Sequence, residues 1–154
     1  MADEHNDIVI CQATRDFKLR VTGVLLDATG NIAVNTAPQQ YCVFLPGGKV
    51  KFGETSQAAI VREFIEEMGI NVRAERLLAV TENLFSIAGK QVTEIGMTWL
   101  VTRVDQTQGD ARDGWEQAVI WRSPTALDDL KPVVLQPVLH DLPLQPVHLM
   151  YHQK

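Results

Sequence analysis

Glu63, Glu66 and Glu67 stand just behind a glycine-rich stretch, and their spacing gives them one address on a helix. At about 100° of rotation per residue, Glu67 falls about 40° from Glu63 and Glu66 about 60° to the other side, so the three share an arc of about 100°. Val61, Ile65 and Met68 occupy the opposite arc, flanked by Ala58 and Phe64. The helix is therefore amphipathic, with one apolar side for packing and one crowded acidic side. Like charges at i,i+4 destabilise a helix by a few tenths of a kcal/mol, and Arg62 is the only base inside the cluster. Such spacing also occurs on ordinary solvated faces. A metal ion that cancels the repulsion gives it a chemical purpose, because hard cations take carboxylate, water and substrate phosphate oxygens. The chemistry on offer is the holding of magnesium or manganese against a phosphate chain.

The preceding loop suits that chemistry. Pro46-Gly47-Gly48 and Gly53 open backbone conformations closed to other residues. Such a loop brings a carbonyl or an amide close to a ligand. Thr55 or Ser56 is placed to cap the helix, Glu54 suits the positive end of its dipole, and Gly69 is placed to end it. Lys49 and Lys51, in the same loop, and Arg20 upstream are candidate phosphate-binding cations.

From Gly48 to Ile70 the run resembles the Nudix box, G-x(5)-E-x(7)-R-E-U-x-E-E-x-G-U, where U is a bulky aliphatic or aromatic residue. Gly48, Glu54, Arg62, Glu63, Phe64, Glu66, Glu67, Gly69 and Ile70 fill every specified position. The resemblance extends to Phe44-Leu45-Pro46-Gly47-Gly48, Glu82-Asn83-Leu84-Phe85, Thr93-Glu94-Ile95-Gly96 and Trp121 before a Pro-containing turn. It implies an α/β/α sandwich, with a mixed sheet between helices. It also implies metal-dependent hydrolysis of a phosphoanhydride bond in a nucleoside diphosphate linked to another moiety, in the nucleoside triphosphate or nucleotide sugar class. On this resemblance the metal site consists of the Gly48 carbonyl, Glu63, Glu66 and Glu67. Arg62 orients the glutamates through ion pairs, and the general base is a box glutamate or a carboxylate from a distant loop. Outside the box the candidates are Glu116, on a polar loop before a strand, and Glu94, within a long strand and better suited to orienting substrate. Phe85 is a candidate pocket wall. The rival reading is a Nudix-fold nucleotide-binding or regulatory module without catalysis, which predicts an eroded box; here the box is complete. A structural calcium site is the third reading, and the EF-hand loop pattern is absent.

The resemblance does not extend to one substrate. In the MutT branch an asparagine before a Glu-Pro in the last helix reads the purine; here Leu135 holds that place, before Gln136-Pro137. The proline of the ADP-ribose branch and the tyrosine of the dinucleoside polyphosphate branch are missing from Leu84–Ala88. The upstream signature of coenzyme A hydrolases is also missing.

Elements must exist to position these residues. The pattern predicts strands at 20–27, 32–35 (as hairpin partner of the first), 41–45, 72–85, 91–104 and 117–121. Helices are predicted at 55–68, 124–130 and 133–142, with Pro143 and Pro146 breaking the chain into a tail, 143–154. Residues 1–18 read as an N-terminal extension, with an apolar stretch of unassigned role at 8–13. Strands, helix, strands, helix in that order indicate α/β layers. At 154 residues the chain reads as one domain.

Composition excludes several classes. Net charge is −5, from 14 basic and 19 acidic residues, with no basic run for a nucleic-acid surface. No apolar run approaches the roughly 20 residues of a membrane span, and the acidic N-terminus lacks a signal region. Cys11 and Cys42 have no zinc or redox spacing, Cys42 reads as a buried thiol, and a reducing cytoplasm is the simplest compartment. The expected partner is a small-molecule nucleotide, with a homodimer compatible with this reading. Trp99 reads as core, Trp115 as either a stacking ring or an edge cover. His148 and His152 read as incidental, for want of a third ligand nearby.

Overall fold

The computed structural model describes residues 6–36, 41–108 and 118–154. Its strands are β1 (Val9–Cys11), β2 (Arg15–Leu25), β3 (Ile32–Thr36), β4 (Val43–Phe44), β5 (Gly47–Lys49), β6 (Ile70–Ile87), β7 (Lys90–Gln108), β8 (Ala118–Arg122) and β9 (Val147–His152). The helices are α1 (Ser56–Met68) and α2 (Gln136–His140), the latter entered through a 3-10 turn at Val133–Leu135.

A six-stranded mixed sheet runs β1-β2-β7-β6-β9, with β5 also paired to β2. The β2–β7 and β6–β9 pairs are parallel and the rest antiparallel. A second sheet, β4-β3-β8, is antiparallel throughout. Alternation along β2 splits the core in two. Val21 and Leu25 face α1 with Ile60 and Phe64, while Val24 faces the other way, with Leu130, Leu135 and Leu139. The expected sandwich, sheet between helical layers, is thus present. Bulges interrupt the β6–β7 register between Ala74 and Arg76 and between Leu77 and Ala79; such irregularities turn a long strand's side chains and increase its twist.

Several elements differ from expectation. Ile32–Asn35 is buried on both faces; its strand pairs with β4 and β8, and its link to the first strand is the isolated Leu26–Ile32 bridge. The turn before it is fixed by Asp27, whose carboxylate accepts from the Thr29 and Asn31 amides at 2.9 Å. Residues 124–130 form turns, not a helix: Ser123 Oγ accepts from the Thr125 amide, offering the backbone a local alternative to helical bonding. The predicted helix at 133–142 is confined to the 3-10 turn and the five residues of α2.

The tail at 143–154 holds a strand, β9. Val147, Leu149 and Tyr151 alternate inward with exposed His148, Met150 and His152, and β9 pairs with β6 from Ala79 to Leu84. The N-terminal stretch likewise enters the sheet, as β1 and the start of β2. Cys42 precedes its strand and is half-buried, and Cys11 is exposed. Trp99 is half-buried against the α1 core, where Nε1 donates to Ser56 Oγ at 3.1 Å. His148 pairs with Glu82 at 2.7 Å on the exposed face. No helix among the described residues is long and apolar enough to cross a membrane.

Candidate active site

The acidic helix is held at both ends. Thr55 caps α1, its hydroxyl accepting from the Ala58 amide at 3.1 Å, and Gly69 closes it at φ 63°. Ile60 and Phe64 press on β2 at Gly23, where a Cβ would meet the Phe64 ring at 2.5 Å. This close approach sets the acidic side of α1 against the β5 loop. The Glu63 carboxylate lies directly over Gly48, where no side chain fits beneath it.

Arg62 knits helix and loop together. Its Nε and Nη2 donate to the two Glu54 oxygens at 2.7 and 3.0 Å, and Nη2 also donates to the Lys49 carbonyl at 3.0 Å. Its Nη1 donates to Glu63 at 2.7 Å and to Glu66 at 3.0 Å. A planar five-donor guanidinium is suited to this task, and an ammonium is not. The hydrogen bonds it donates to Glu54 raise the Arg62 pKa further, keeping it charged. For Glu54, burial raises the pKa, but Arg62 and the Lys51 amide outweigh it and hold the carboxyl below the usual range.

Glu67 stands apart from that network. Its Oε2 accepts from the Gly47 amide and from Asn35 Nδ2, both at 3.3 Å. Burial, then the charge of Glu63, pushes its pKa up to about 7. Burial also raises Glu63, against the opposing pull of Arg62. The cluster therefore holds three carboxylates around one guanidinium, with Glu67 as a fourth beside them, and Glu63 and Glu67 carry raised pKa values. Among the described residues no three His, Cys, Asp or Glu side chains converge as a preformed cage; Glu63 and Glu66 turn to Arg62, and Glu67 to the Gly47 amide.

A cavity of about 320 Å³ opens beside this cluster, on the sheet face away from α1. Its floor is the six-stranded sheet: Lys18, Arg20 and Thr22 of β2, Glu94, Gly96 and Thr98 of β7, Thr81, Asn83 and Phe85 of β6. Phe44, Leu45, Pro132 and Leu135 wall it on one side. Arg20 joins the two regions, lining the cavity while its charge acts on both Glu63 and Glu67.

The structure thus brings Arg62, Glu63 and Glu66 together, with Glu63 over Gly48, places Glu67 beside them, and puts Phe85 and Glu94 in the cavity. Lys49 instead pairs with Asp7 at 3.5 Å. Lys51 contributes its backbone amide to Glu54 at 3.0 Å; neither lysine lines the cavity. Glu116 and Trp115 lie outside the described residues. Asn35, Thr81 and Lys18 escaped the sequence reading, and Asn83 entered it only within the Glu82-Asn83-Leu84-Phe85 run, since each reaches its place through strand pairing that no local pattern announces.

The comparisons with known proteins agree with this geometry. A family model described as the NUDIX domain matches residues 16–142. A Mycobacterium tuberculosis protein named as 8-oxo-dGTP diphosphatase 2 is 37% identical over 87 residues, which is 56% of this chain and 57% of that protein. The chain thus spans little more than half the length of that relative. A MutT-like protein from Streptomyces ambofaciens is 29% identical over 110 residues, 71% of this chain and 66% of its own. Among solved structures, a MutT protein from Bacillus halodurans matches with a TM-score of 0.66 at 17% identity, covering 88% of this chain and 90% of that one. An ADP-ribose pyrophosphatase from Streptococcus suis matches at 0.59 and 19% identity, covering 86% and 98%. At these identities the structural matches establish the fold.

Proposed function

The chain belongs to the Nudix family, and from that premise we propose that it hydrolyses a phosphoanhydride bond in a nucleoside diphosphate linked to a further group, using magnesium or manganese. Nucleoside triphosphates and nucleotide sugars are the candidate classes. One observation supports the reading: three carboxylates share a single guanidinium, and a fourth, Glu67, is left half-buried with only neutral hydrogen-bond donors. That donor set fits a hard cation, which takes oxygen ligands and relieves their mutual repulsion. The Gly48 carbonyl, Glu63, Glu66 and Glu67 would hold it. Once bound, the ion neutralises phosphoryl oxygens and acidifies water.

The chain's own residues do the rest. Arg62 fixes the directions of Glu63 and Glu66 and ties them to the loop through the Lys49 carbonyl. Asn35 positions Glu67. Arg20 offers a cation between the acidic cluster and the cavity, where a phosphate chain passing from one to the other would meet it. The cavity takes the remainder of the nucleotide, and Glu94 orients it.

A screen of nucleoside triphosphates, nucleotide sugars and dinucleotides with magnesium or manganese, identifying both products, tests the proposal. Release of a nucleoside monophosphate from at least one class is expected. Nucleotide binding without turnover across the panel would overturn it in favour of a binding module.

A further inference from the structure

Two features of the cavity floor have no explanation in the fold. The first is Gly96, in the interior of β7. Its φ is not positive, so no turn requires a glycine. Nor does packing: a Cβ there would meet nothing closer than the Thr81 Cβ at 3.9 Å. Gly23 and Gly48, by contrast, are each pressed by a neighbouring side chain. Glycine in a strand interior weakens the strand, and it often marks a site where a ligand approaches the backbone. The second feature is Thr81, opposite Gly96 on β6. It is 3% exposed, lines the cavity, and its hydroxyl has no hydrogen-bond partner among the described residues. A buried hydroxyl left unpaired is destabilising, so such groups in a native fold call for a reason.

One ligand explains both. Around the bare Gly96 backbone stand Thr81 and Arg20 across the strands, Glu94 and Thr98 along β7, and Asn83 diagonally beyond Thr81. The space is flat-floored, edged by hydrogen-bonding groups and walled by Phe44, Phe85 and Leu135. Resting on the hydrolase reading above, we propose that Gly96 and Thr81 form the seat of the substrate's planar heterocyclic base. The ring lies against the β7 backbone at Gly96, with its edge on the Thr81 hydroxyl and the Asn83 amide. An Asn side chain presents a donor and an acceptor together, which suits the edge of a base. Recognition then comes from the sheet floor, while Leu135 contributes only an apolar wall.

Gly96→Ala and Thr81→Val test this with ligands that need no turnover. Binding of the α,β-methylene diphosphates of adenosine, guanosine, cytidine and uridine is measured by calorimetry with magnesium. Methylenediphosphonate serves as the base-free control, and thermal melts are recorded for each variant. The wild-type protein should bind its preferred nucleoside analogue more tightly than methylenediphosphonate. Each variant should weaken that binding by about 10-fold, the worth of one neutral hydrogen bond or of a comparable steric offset, and leave methylenediphosphonate binding unchanged. Both variants should melt at or above the wild-type temperature, because Ala fills open space and Val removes an unpaired hydroxyl. Nucleoside binding within twofold of wild type in both variants overturns the proposal, as does equal weakening of both ligands. Wild-type protein that binds nucleoside analogues no better than methylenediphosphonate overturns it too. If the variants behave as expected while no triphosphate, nucleotide sugar or dinucleotide of the screen is hydrolysed, the seat stands and the hydrolytic reading falls.

Discussion

Glu67→Gln in metal-free protein should make the fold more stable at neutral pH and change it little in mild acid. The wild-type carboxyl is pushed from an ordinary 4.5 to about 7, by burial first and by the charge of Glu63 second. A carboxyl whose folded pKa is raised stays protonated in the native state while the unfolded chain has already ionised. Stability is therefore full below about 4.5, declines as pH rises, and is lost above about 7. At about 1.4 kcal/mol per pKa unit, the loss amounts to about 3 kcal/mol. Glutamine keeps an oxygen for the Gly47 amide and Asn35 Nδ2 but cannot ionise. Urea denaturation in EDTA, followed by tryptophan fluorescence at pH 5 and pH 8, measures the effect. The variant should exceed wild type by about 3 kcal/mol at pH 8 and by less than about 1 kcal/mol at pH 5. Millimolar magnesium should narrow the gap at pH 8 by stabilising the wild-type fold. A gap that is the same at both pH values, or a variant less stable at pH 8, would refute the reasoning.

Gly48→Ala puts a methyl group where the Glu63 carboxylate lies; kcat should fall about 100-fold, as expected for an ångström-scale displacement of a catalytic group, and steady-state kinetics against thermal melts separates this from unfolding. Arg62→Lys cannot reproduce the contacts to Glu54, Glu63, Glu66 and the Lys49 carbonyl; a loss of about 2 kcal/mol in urea melts, together with reduced kcat, is expected. Glu116→Gln should reduce kcat with little change in KM if Glu116 is the general base, whereas Glu94→Gln, in the cavity, should mainly raise KM; an unchanged acidic limb of the pH–rate profile in Glu116→Gln would return the base to the box.

The acidic helix was legible because everything that makes it is local. Its cap, charge spacing and closing glycine lie within fifteen residues, and the glycine loop that meets it is the preceding segment. The cavity was not legible, because its floor is made by register. The parallel β2–β7 pairing sets Lys18 beside Glu94, and the β6–β7 pairing sets Asn83 on that residue's other side. No periodicity within either segment encodes that meeting. The strand at Val147–His152 was hidden by Pro143 and Pro146, although its strict alternation carried the signal. Asn35 is a further case: the twofold burial of its strand shows in the apolar run, but its contact with Glu67 depends on how the second sheet packs against α1.

The central claim is that the carboxylates over Gly48 serve a metal-dependent hydrolysis. Its most direct test is product analysis for the best nucleotide of the screen, comparing magnesium, EDTA and the Glu63→Gln variant with magnesium restored. A nucleoside monophosphate product is expected with magnesium, none with EDTA, and a rate lower by orders of magnitude in the variant. Undiminished turnover in EDTA, or a Glu63→Gln protein as fast as wild type, would contradict it.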